Sequence, residues 1–179
     1  SAPMASPQDL ARVHPVAFLE KFKQMSDAGG GLIGLNTPFL PGGFETAALS
    51  AGLATRALAK VLRGELANAY ALSRPPGHHC LPDYPMGFCL LANIPIAIEH
   101  AIAQGLAKRF VVLDWDVHHG NGTETIFYER DDVLAISIHE DGNYPLNSGG
   151  IEMRGKGKGQ GFNINIPLPA GAGDATYLD

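Results

Sequence analysis

Apolar residues recur at helical spacing in three stretches of the chain. In residues 7–25 they fall three or four positions apart, interrupted at Pro15, so this stretch predicts two short helices. Residues 45–62 combine Ala, Leu and Arg with one apolar face, and Gly64 follows as a stop signal. Residues 93–104 predict a further helix that ends before a glycine.

An unbroken apolar run predicts a strand at residues 110–113, and largely apolar stretches predict strands at 133–138 and 162–166, with a shorter one at 69–72. We interpret the run at 110–113 as a strand buried on both faces. A helical turn around residues 123–129 separates the first two long runs. Strand, helix and strand in this order imply parallel strands with right-handed crossovers. The predicted fold class is therefore α/β, an open parallel sheet with helices on both faces, in three layers.

Length and composition narrow the class of protein. The 179 residues suit one domain over residues 1–179, and 45% apolar with 17% charged residues is typical of a globular chain. A formal charge of −5 leaves no broad basic surface, so we expect neither direct nucleic-acid binding nor membrane binding. No apolar run is long enough to span a bilayer. The two cysteines, Cys80 and Cys89, favour a reducing cytoplasm.

A dense group of polar side chains occupies residues 114–122, where the strand at 110–113 ends. Ligands of open α/β sheets bind beyond the carboxyl ends of the strands. Alternate residues of an extended segment point to one side, so Asp116 and His118 can reach one ion, with Asp114 further back on the same face. Such oxygen and nitrogen donors suit zinc, which takes three protein ligands in catalytic sites, and only two are identified here. The alternative is a solvated acidic loop.

A second cluster lies at residues 74–79, where two prolines and a glycine precede His78 and His79. Imidazole suits proton transfer near neutral pH, and its state depends on what its other nitrogen contacts. Asp114 could accept a hydrogen bond from one histidine and raise its basicity, while Asn121 could orient the other. We expect the two clusters to face each other across a shared cavity.

These motifs together resemble the histone deacetylase superfamily. Their residues are most similar to those of the bacterial histone-deacetylase-like amidohydrolases and the class II enzymes. The resemblance covers the chain from about Asp9 onward and implies an arginase/deacetylase-like fold. It is carried by the two clusters and by three further motifs: Gly87-Phe88-Cys89, Ser137-Ile138-His139 and Asn163-Ile164-Asn165-Ile166-Pro167-Leu168.

The resemblance also implies roles for individual residues. It makes Asp116 and His118 zinc ligands, and it makes His78 and His79 the tandem catalytic histidines. Asp114 and Asn121 would be the respective partners of those histidines. The carbonyl of Gly87 would accept the substrate amide, and Phe88 and Tyr144 would form opposite walls of an acyl-lysine tunnel. A potassium ion would bind at positions matched here by Asp114, Asp116, His118, Ser137 and Ile138.

Three features depart from the family pattern. Tyr144 stands where relatives commonly carry Phe, and Asn36 where they often carry an Asp that grips the substrate backbone. The family's third zinc ligand, an Asp, and its transition-state Tyr have no match, since Asp174, Tyr177 and Asp179 do not fit those positions. We therefore interpret the chain as a fragment that lacks the C-terminal part of the catalytic domain and is inactive by itself.

The sequence thus predicts a zinc-dependent amidohydrolase that removes acetyl groups from an acetylated lysine peptide or a related small amine. Zinc is the expected cofactor and potassium a further one, and the intact protein could form a homo-oligomer. Three alternatives stay open: an acetylpolyamine deacetylase, a catalytically inactive metal-binding fragment, and polar clusters that only bridge loops.

Overall fold

The structure is a computed structural model that describes residues 3–178. Contacts group the chain into two compact units, the first ending at Lys108 and the second beginning at Arg109. The single domain over residues 1–179 stays a prediction. Among the described residues, none of the helices combines the length and the apolar character needed to cross a membrane.

The first unit is built from helices and one small hairpin. Its helices are α1 (Pro7–Leu10), α2 (Val16–Asp27), α3 (Gly43–Leu62) and α4 (Asn93–Ala103), and its two antiparallel strands are β1 (Gly31–Leu32) and β2 (Pro38–Phe39). The predicted break at Pro15 separates α1 from α2. Gly64 follows α3 with a φ of +72°, which suits a residue without a side chain.

The core of this unit forms where α2, α3 and α4 bury their apolar faces. Phe22 is fully buried, and its ring meets Phe39 and Phe44 edge-on at centroid distances of 4.9 and 5.3 Å. Aromatic rings in this arrangement add attraction beyond the area they bury. Small residues of α3, among them Ala47 and Ala51, are also fully buried, which allows close helix packing.

The strand predicted at residues 69–72 is wrong. The structure assigns no strand there, and Tyr70 and Leu72 are 84% and 78% exposed. An extended segment becomes a strand only when a neighbour pairs with its backbone groups, and residues 69–72 pair with no strand in the described part of the chain. An apolar run alone does not supply that partner.

The second unit contains the parallel sheet. Its elements are β3 (Phe110–Asp114), α5 (Asn121–Phe127), β4 (Val133–Glu140), a 3₁₀ turn (Gly157–Gly159), β5 (Asn163–Leu168) and α6 (Asp174–Leu178). The strands lie in the order β3-β4-β5, all parallel. The α/β class with a parallel sheet is as predicted, and the register places Asp114 beside Ser137.

The expectation that β3 is buried on both faces is wrong. The side chains of Val111 and Leu113, which share one face of the sheet, are 66% and 48% exposed, so this face is not covered at β3 in the described residues, and β3 is one of the two edge strands. The inner strand β4 alternates buried and half-buried positions instead. A run of β-branched residues therefore indicated the strand correctly but not its environment.

Candidate functional site

The turn after β3 is shaped by its own carboxylates. The backbone N–H of Asp116 donates to Oδ1 of Asp114 at 3.1 Å, and the N–H of His118 donates to Oδ1 of Asp116 at 2.8 Å. Asp residues stabilise turns through such bonds to backbone two positions on. The sequence of alternating Asp, Asp and His thus folds locally so that acidic oxygens line the inside of the turn.

Asp116 and His118 bring two metal-binding atoms close together. Oδ1 of Asp116 lies 2.9 Å from Nδ1 of His118, and the side chains are 48% and 40% exposed. Two ligand atoms on one tetrahedral zinc ion lie about 3.3 Å apart, given bonds of about 2.0–2.1 Å. The donor types fit zinc as two of its ligands, while the 2.9 Å separation is that of a hydrogen bond between the two side chains and is shorter than this ligand spacing. Within residues 3–178, His, Cys, Asp and Glu side chains form no group of three or more that could hold a metal.

Gly120 allows Asp114 to pack under the start of α5. A Cβ at position 120 would lie 2.5 Å from Oδ2 of Asp114, closer than real contacts allow. Asn121 follows as the first residue of α5 and is buried. Ser137 accepts a hydrogen bond from the Gly120 N–H at 3.3 Å, so the predicted potassium positions Asp114 and Ser137 share one corner of the sheet.

Tyr144 lies beside the candidate zinc ligand. Its ring meets that of His118 edge-on, with 6.1 Å between centroids and 86° between planes. Its carbonyl accepts the backbone N–H of His119 at 3.0 Å, which ties the residue to the turn. Tyr144 is therefore fixed against the candidate zinc ligand by a ring contact and a backbone hydrogen bond.

In the first unit, His78 and His79 stand ring to ring, with centroids 3.9 Å apart. His79 is 4% exposed, and its backbone N–H donates to Sγ of Cys89 at 3.4 Å. Cys80 is also buried, and burial raises the pKa of its thiol well above the usual value. The described cysteines form no disulfide, so this loop is shaped by hydrogen bonds.

The tandem-histidine loop is anchored through His14, which sequence reasoning missed. Nε2 of this fully buried ring accepts the Ala92 N–H at 3.0 Å, so Nδ1 carries the proton and donates to the Pro82 carbonyl at 2.7 Å. Burial lowers the pKa of His14 to about 4, and the bond to Pro82 only partly opposes this shift. The ring is therefore neutral at physiological pH.

A second anchor holds the start of the same loop. The side-chain amide of Asn93 donates to the carbonyl of Pro75 and to the hydroxyl of Ser50, both at 3.0 Å. A Cβ on Gly77 would lie 2.5 Å from the backbone nitrogen of Asn93, so only glycine permits this close approach of the two backbones. Helices α3 and α4 thereby fix the backbone just before His78.

Gly87 and Phe88, which are predicted to contact the substrate, lie on a neighbouring turn of this unit. The N–H of Gly87 donates to the Leu35 carbonyl at 3.0 Å, and that of Phe88 to the Asn36 carbonyl at 3.1 Å. Phe88 has a φ of +64° and is 60% exposed. An exposed aromatic residue held in this uncommon conformation suggests a functional role. Asn36, the predicted rim residue, is thus joined directly to the predicted wall.

The structure places the predicted residues in two groups. Those in the second unit are Asp114, Asp116, His118, Asn121, Ser137, Ile138 and Tyr144, and those in the first are His78, His79, Gly87 and Phe88. The predicted pairing of Asp114 and Asn121 with the tandem histidines joins residues of different units, and it stays a prediction. Sequence reasoning assigned no role of their own to five buried polar residues of the second unit, namely His119, Glu124, His139, Asn163 and Asn165. The two asparagines gave a signal, since they alternate with isoleucine in an otherwise apolar strand.

The parallel sheet, the Asp and His turn and the tandem histidines are the features from which the resemblance was predicted, and the comparison with known proteins agrees: the chain belongs to the histone deacetylase family, whose domain profile matches residues 1–179. The predicted resemblance is thereby confirmed. The chain is 62% identical over 152 residues to a histone deacetylase-like amidohydrolase of Pseudomonas aeruginosa, covering 85% of this chain and 40% of that protein. It is 46% identical over 138 residues to a probable deacetylase of Methanothermobacter thermautotrophicus, covering 77% and 41%.

A solved structure supports the fold assignment. The crystal structure of the HDA15 HD domain superposes with a TM-score of 0.90 at 35% identity, covering 96% of this chain and 49% of that one. The predicted deacetylase-like α/β fold is therefore confirmed. The chain spans about 40% of the length of the two curated relatives named above.

Proposed function

We propose that the whole protein is a zinc-dependent amidohydrolase that removes acetyl groups from acetyl-lysine or a related acetylated amine. The observation that carries the proposal is the 2.9 Å approach of Asp116 Oδ1 to His118 Nδ1 at the carboxyl end of a parallel strand. Family membership supports it, since relatives are named deacetylases and an amidohydrolase.

Asp116 and His118 would hold the zinc ion, which supplies Lewis-acid polarisation of the amide carbonyl. Asp114 holds the turn that presents them, through the Asp116 N–H. Catalytic zinc sites use three protein ligands, so we expect another part of the whole protein to supply the third. Potassium at Asp114, Asp116, His118, Ser137 and Ile138 would add positive charge near these carboxylates.

His79 would act as the general base and then the general acid. It takes a proton from the attacking water as the new C–O bond forms, and it returns that proton to the leaving amine as the C–N bond breaks. His78 would serve as its hydrogen-bonded or positively charged partner. Asp114 would accept a hydrogen bond from a protonated ring nitrogen of one histidine, and Asn121 would orient the other histidine.

Gly87, Phe88 and Tyr144 would position the substrate. The Gly87 carbonyl accepts the amide N–H of the acyl-lysine, and the two aromatic rings flank its alkyl chain. The exposure of Phe88 and the ring contact between Tyr144 and His118 support these roles.

The test is turnover of an acetyl-lysine peptide by the whole protein. His79→Ala should lower kcat by about 10² or more, as expected for a lost acid-base group, while the bound zinc stays unchanged. His100→Ala, a histidine on α4 outside the candidate site, is the matched control and should retain turnover. Unchanged turnover in the His79 variant would reject its role.

An acetylated small amine such as a polyamine is the second candidate substrate, and Asn36 favours it. A neutral amide at this position, joined to Phe88 by a backbone hydrogen bond, replaces the acidic residue expected to grip a peptide backbone. Comparing kcat/KM for acetyl-peptides and acetylpolyamines separates the two.

We also propose a cytoplasmic location, supported by two buried cysteines without a disulfide between them, and a capacity for homo-oligomers.

A further inference from the structure

The second unit contains a buried polar cluster that the proposed catalytic roles do not use. Its members are Glu124 on α5, Asn163 and Asn165 on β5, and His119 after the metal-binding turn, and each is at most 6% exposed. We call these four residues the Glu124 cluster. Burying a carboxylate is costly unless hydrogen bonds and charge partners compensate, so its presence calls for a role.

Two asparagines connect Glu124 to the segment that follows Tyr144. Oε2 of Glu124 accepts a hydrogen bond from Nδ2 of Asn163 at 2.6 Å and from Nδ2 of Asn165 at 2.7 Å. The second N–H of each amide donates to a backbone carbonyl of that segment, Met153 at 2.7 Å and Gly150 at 3.3 Å. Each asparagine therefore spends both donors on one bridge between the carboxylate and the segment.

His119 and His139 bind the same segment at the two residues that precede Gly150. The hydroxyl of Ser148 donates to the Pro145 carbonyl at 2.8 Å, so it accepts from Nδ1 of His119 at 3.0 Å. Nε2 of His139 donates to the Gly149 carbonyl at 3.1 Å. Residues 144–153, which we call the Tyr144 segment, are thus held at several points by buried side chains of the second unit.

Glu124 is the charged centre of this arrangement. Nε2 of His119 lies 3.4 Å from its Oε2, an ion-pair distance without hydrogen-bond alignment. Burial alone would raise the pKa of Glu124, but the nearby His119 ring and the hydrogen bonds from Asn165 and Asn163 outweigh this effect and lower it. The carboxylate is therefore ionised at neutral pH and accepts the bonds from both asparagines.

We propose that Glu124 is a positioning residue for acyl-group selection: it holds the Tyr144 segment through Asn163 and Asn165 and so fixes the tunnel wall beside His118. The inference rests on the proposed function, because that function assigns Tyr144 to the acyl tunnel. Glu124 itself need not touch substrate. Loss of its carboxylate frees two asparagine donors, loosens the segment and lets bulkier acyl groups pass.

The first readout is backbone hydrogen exchange of residues 144–153 in this chain. Glu124→Ala should speed exchange there by about tenfold, because the loss of one hydrogen bond changes the opening equilibrium of the segment by about that factor. Glu124→Gln keeps an oxygen acceptor of the same shape and should restore most of the protection. Glu20→Gln is the matched control, because Glu20 is exposed in the other unit, and its exchange in residues 144–153 should equal that of the unmodified chain.

The second readout is the ratio of kcat/KM for butyryl-lysine and acetyl-lysine peptides in the whole protein, at unchanged zinc content. Glu124→Ala should raise this ratio by about tenfold or more, the scale at which a pocket discriminates small alkyl differences, and Glu124→Gln should return it towards the original value. If the alanine variant does not fold, Asn165→Ala removes the bridge between Glu124 and Gly150 but keeps the Asn163 bridge, and it should shift the ratio in the same direction.

The outcomes separate this inference from the proposed function. An active enzyme whose acyl ratio is the same in all variants overturns the positioning role, even if exchange rises, because the cluster is then only structural. Unchanged exchange in Glu124→Ala overturns it as well. A whole protein that cleaves no acyl-lysine or acetylpolyamine overturns the proposed function itself, and this inference falls with it.

Discussion

At the scale of single residues, His14 shows how a buried ring can fix the loop that carries the tandem histidines. Both of its nitrogens are committed, one to the Pro82 carbonyl and one to the Ala92 N–H. Protonation would place a second N–H against the Ala92 donor and a charge in the core. Both effects oppose the charged form, in line with the lowered pKa of the ring.

His14 therefore makes stability depend on pH. Its pKa is 6.5 unfolded and about 4 folded, so between these values the unfolded chain binds more protons. The free energy of unfolding rises with pH across that window, and the contribution is complete above 6.5 and lost as pH falls through about 4. It is about 3 kcal/mol at most. His14→Gln should remove this part of the slope in urea unfolding measured from pH 4 to 7.

The comparison of slopes is the decisive quantity, because other groups also titrate below pH 5. His100→Gln, a less buried histidine of the same unit, should keep the slope contributed by His14. Equal slopes for the original chain and His14→Gln would show that the ring is not held neutral.

Gly149 is a second residue whose environment allows a sharp prediction. Its φ is +79°, and a Cβ there would lie 2.4 Å from Nε2 of His139 and 2.8 Å from Cγ of His119. Gly149→Ala should therefore combine backbone strain with overlap of two buried rings, at a cost of about 2–4 kcal/mol in urea unfolding of the second unit.

Gly142 provides the matched control for that substitution. It has a φ of +66° and nothing within 4 Å of its added Cβ, so Gly142→Ala bears only the backbone cost of about 1 kcal/mol. Equal losses for the two variants would mean that contact with the histidines does not constrain Gly149.

At the scale of elements, periodicity predicted the helices and the long strands but not their surroundings. α3 was predicted within two residues, because its helical spacing, composition and terminal glycine all agree. The apolar runs at 69–72 and 110–113 both predicted strands, yet only the second forms one. Strand formation depends on a partner elsewhere in the chain, and local sequence does not name that partner.

The exposed side of β3 leads to a prediction about association. Val111 and Leu113 present an apolar stripe on an edge strand, a feature that favours pairing between copies. Val111→Lys together with Leu113→Lys should reduce self-association of this chain, measured by light scattering over a concentration series. Leu146→Lys, at a 73% exposed residue outside the strands, is the control and should have little effect.

At the scale of the whole molecule, the sequence indicates the candidate site residues more directly than the contacts that hold them in place. Asp116, His118 and the tandem histidines stand in recognisable motifs. His14, Asn93 and Glu124 act through contacts between residues 18 to 78 positions apart, such as Asn93 with Pro75 and His14 with Ala92. Such distant contacts follow from the fold, so no short motif indicates them.

Zinc binding by this chain tests the central assignment apart from catalysis. Asp116 and His118 supply two ligands, so calorimetric titration should detect weak binding of zinc that Asp116→Ala or His118→Ala lowers by more than about 100-fold, since loss of an outer-shell partner already costs 10–100-fold. His100→Ala, which removes a histidine from the other unit, should bind zinc like the unmodified chain. Binding that persists in His118→Ala and disappears in His78→Ala would move the metal to the tandem histidines. That result would reverse the proposed roles of the two pairs.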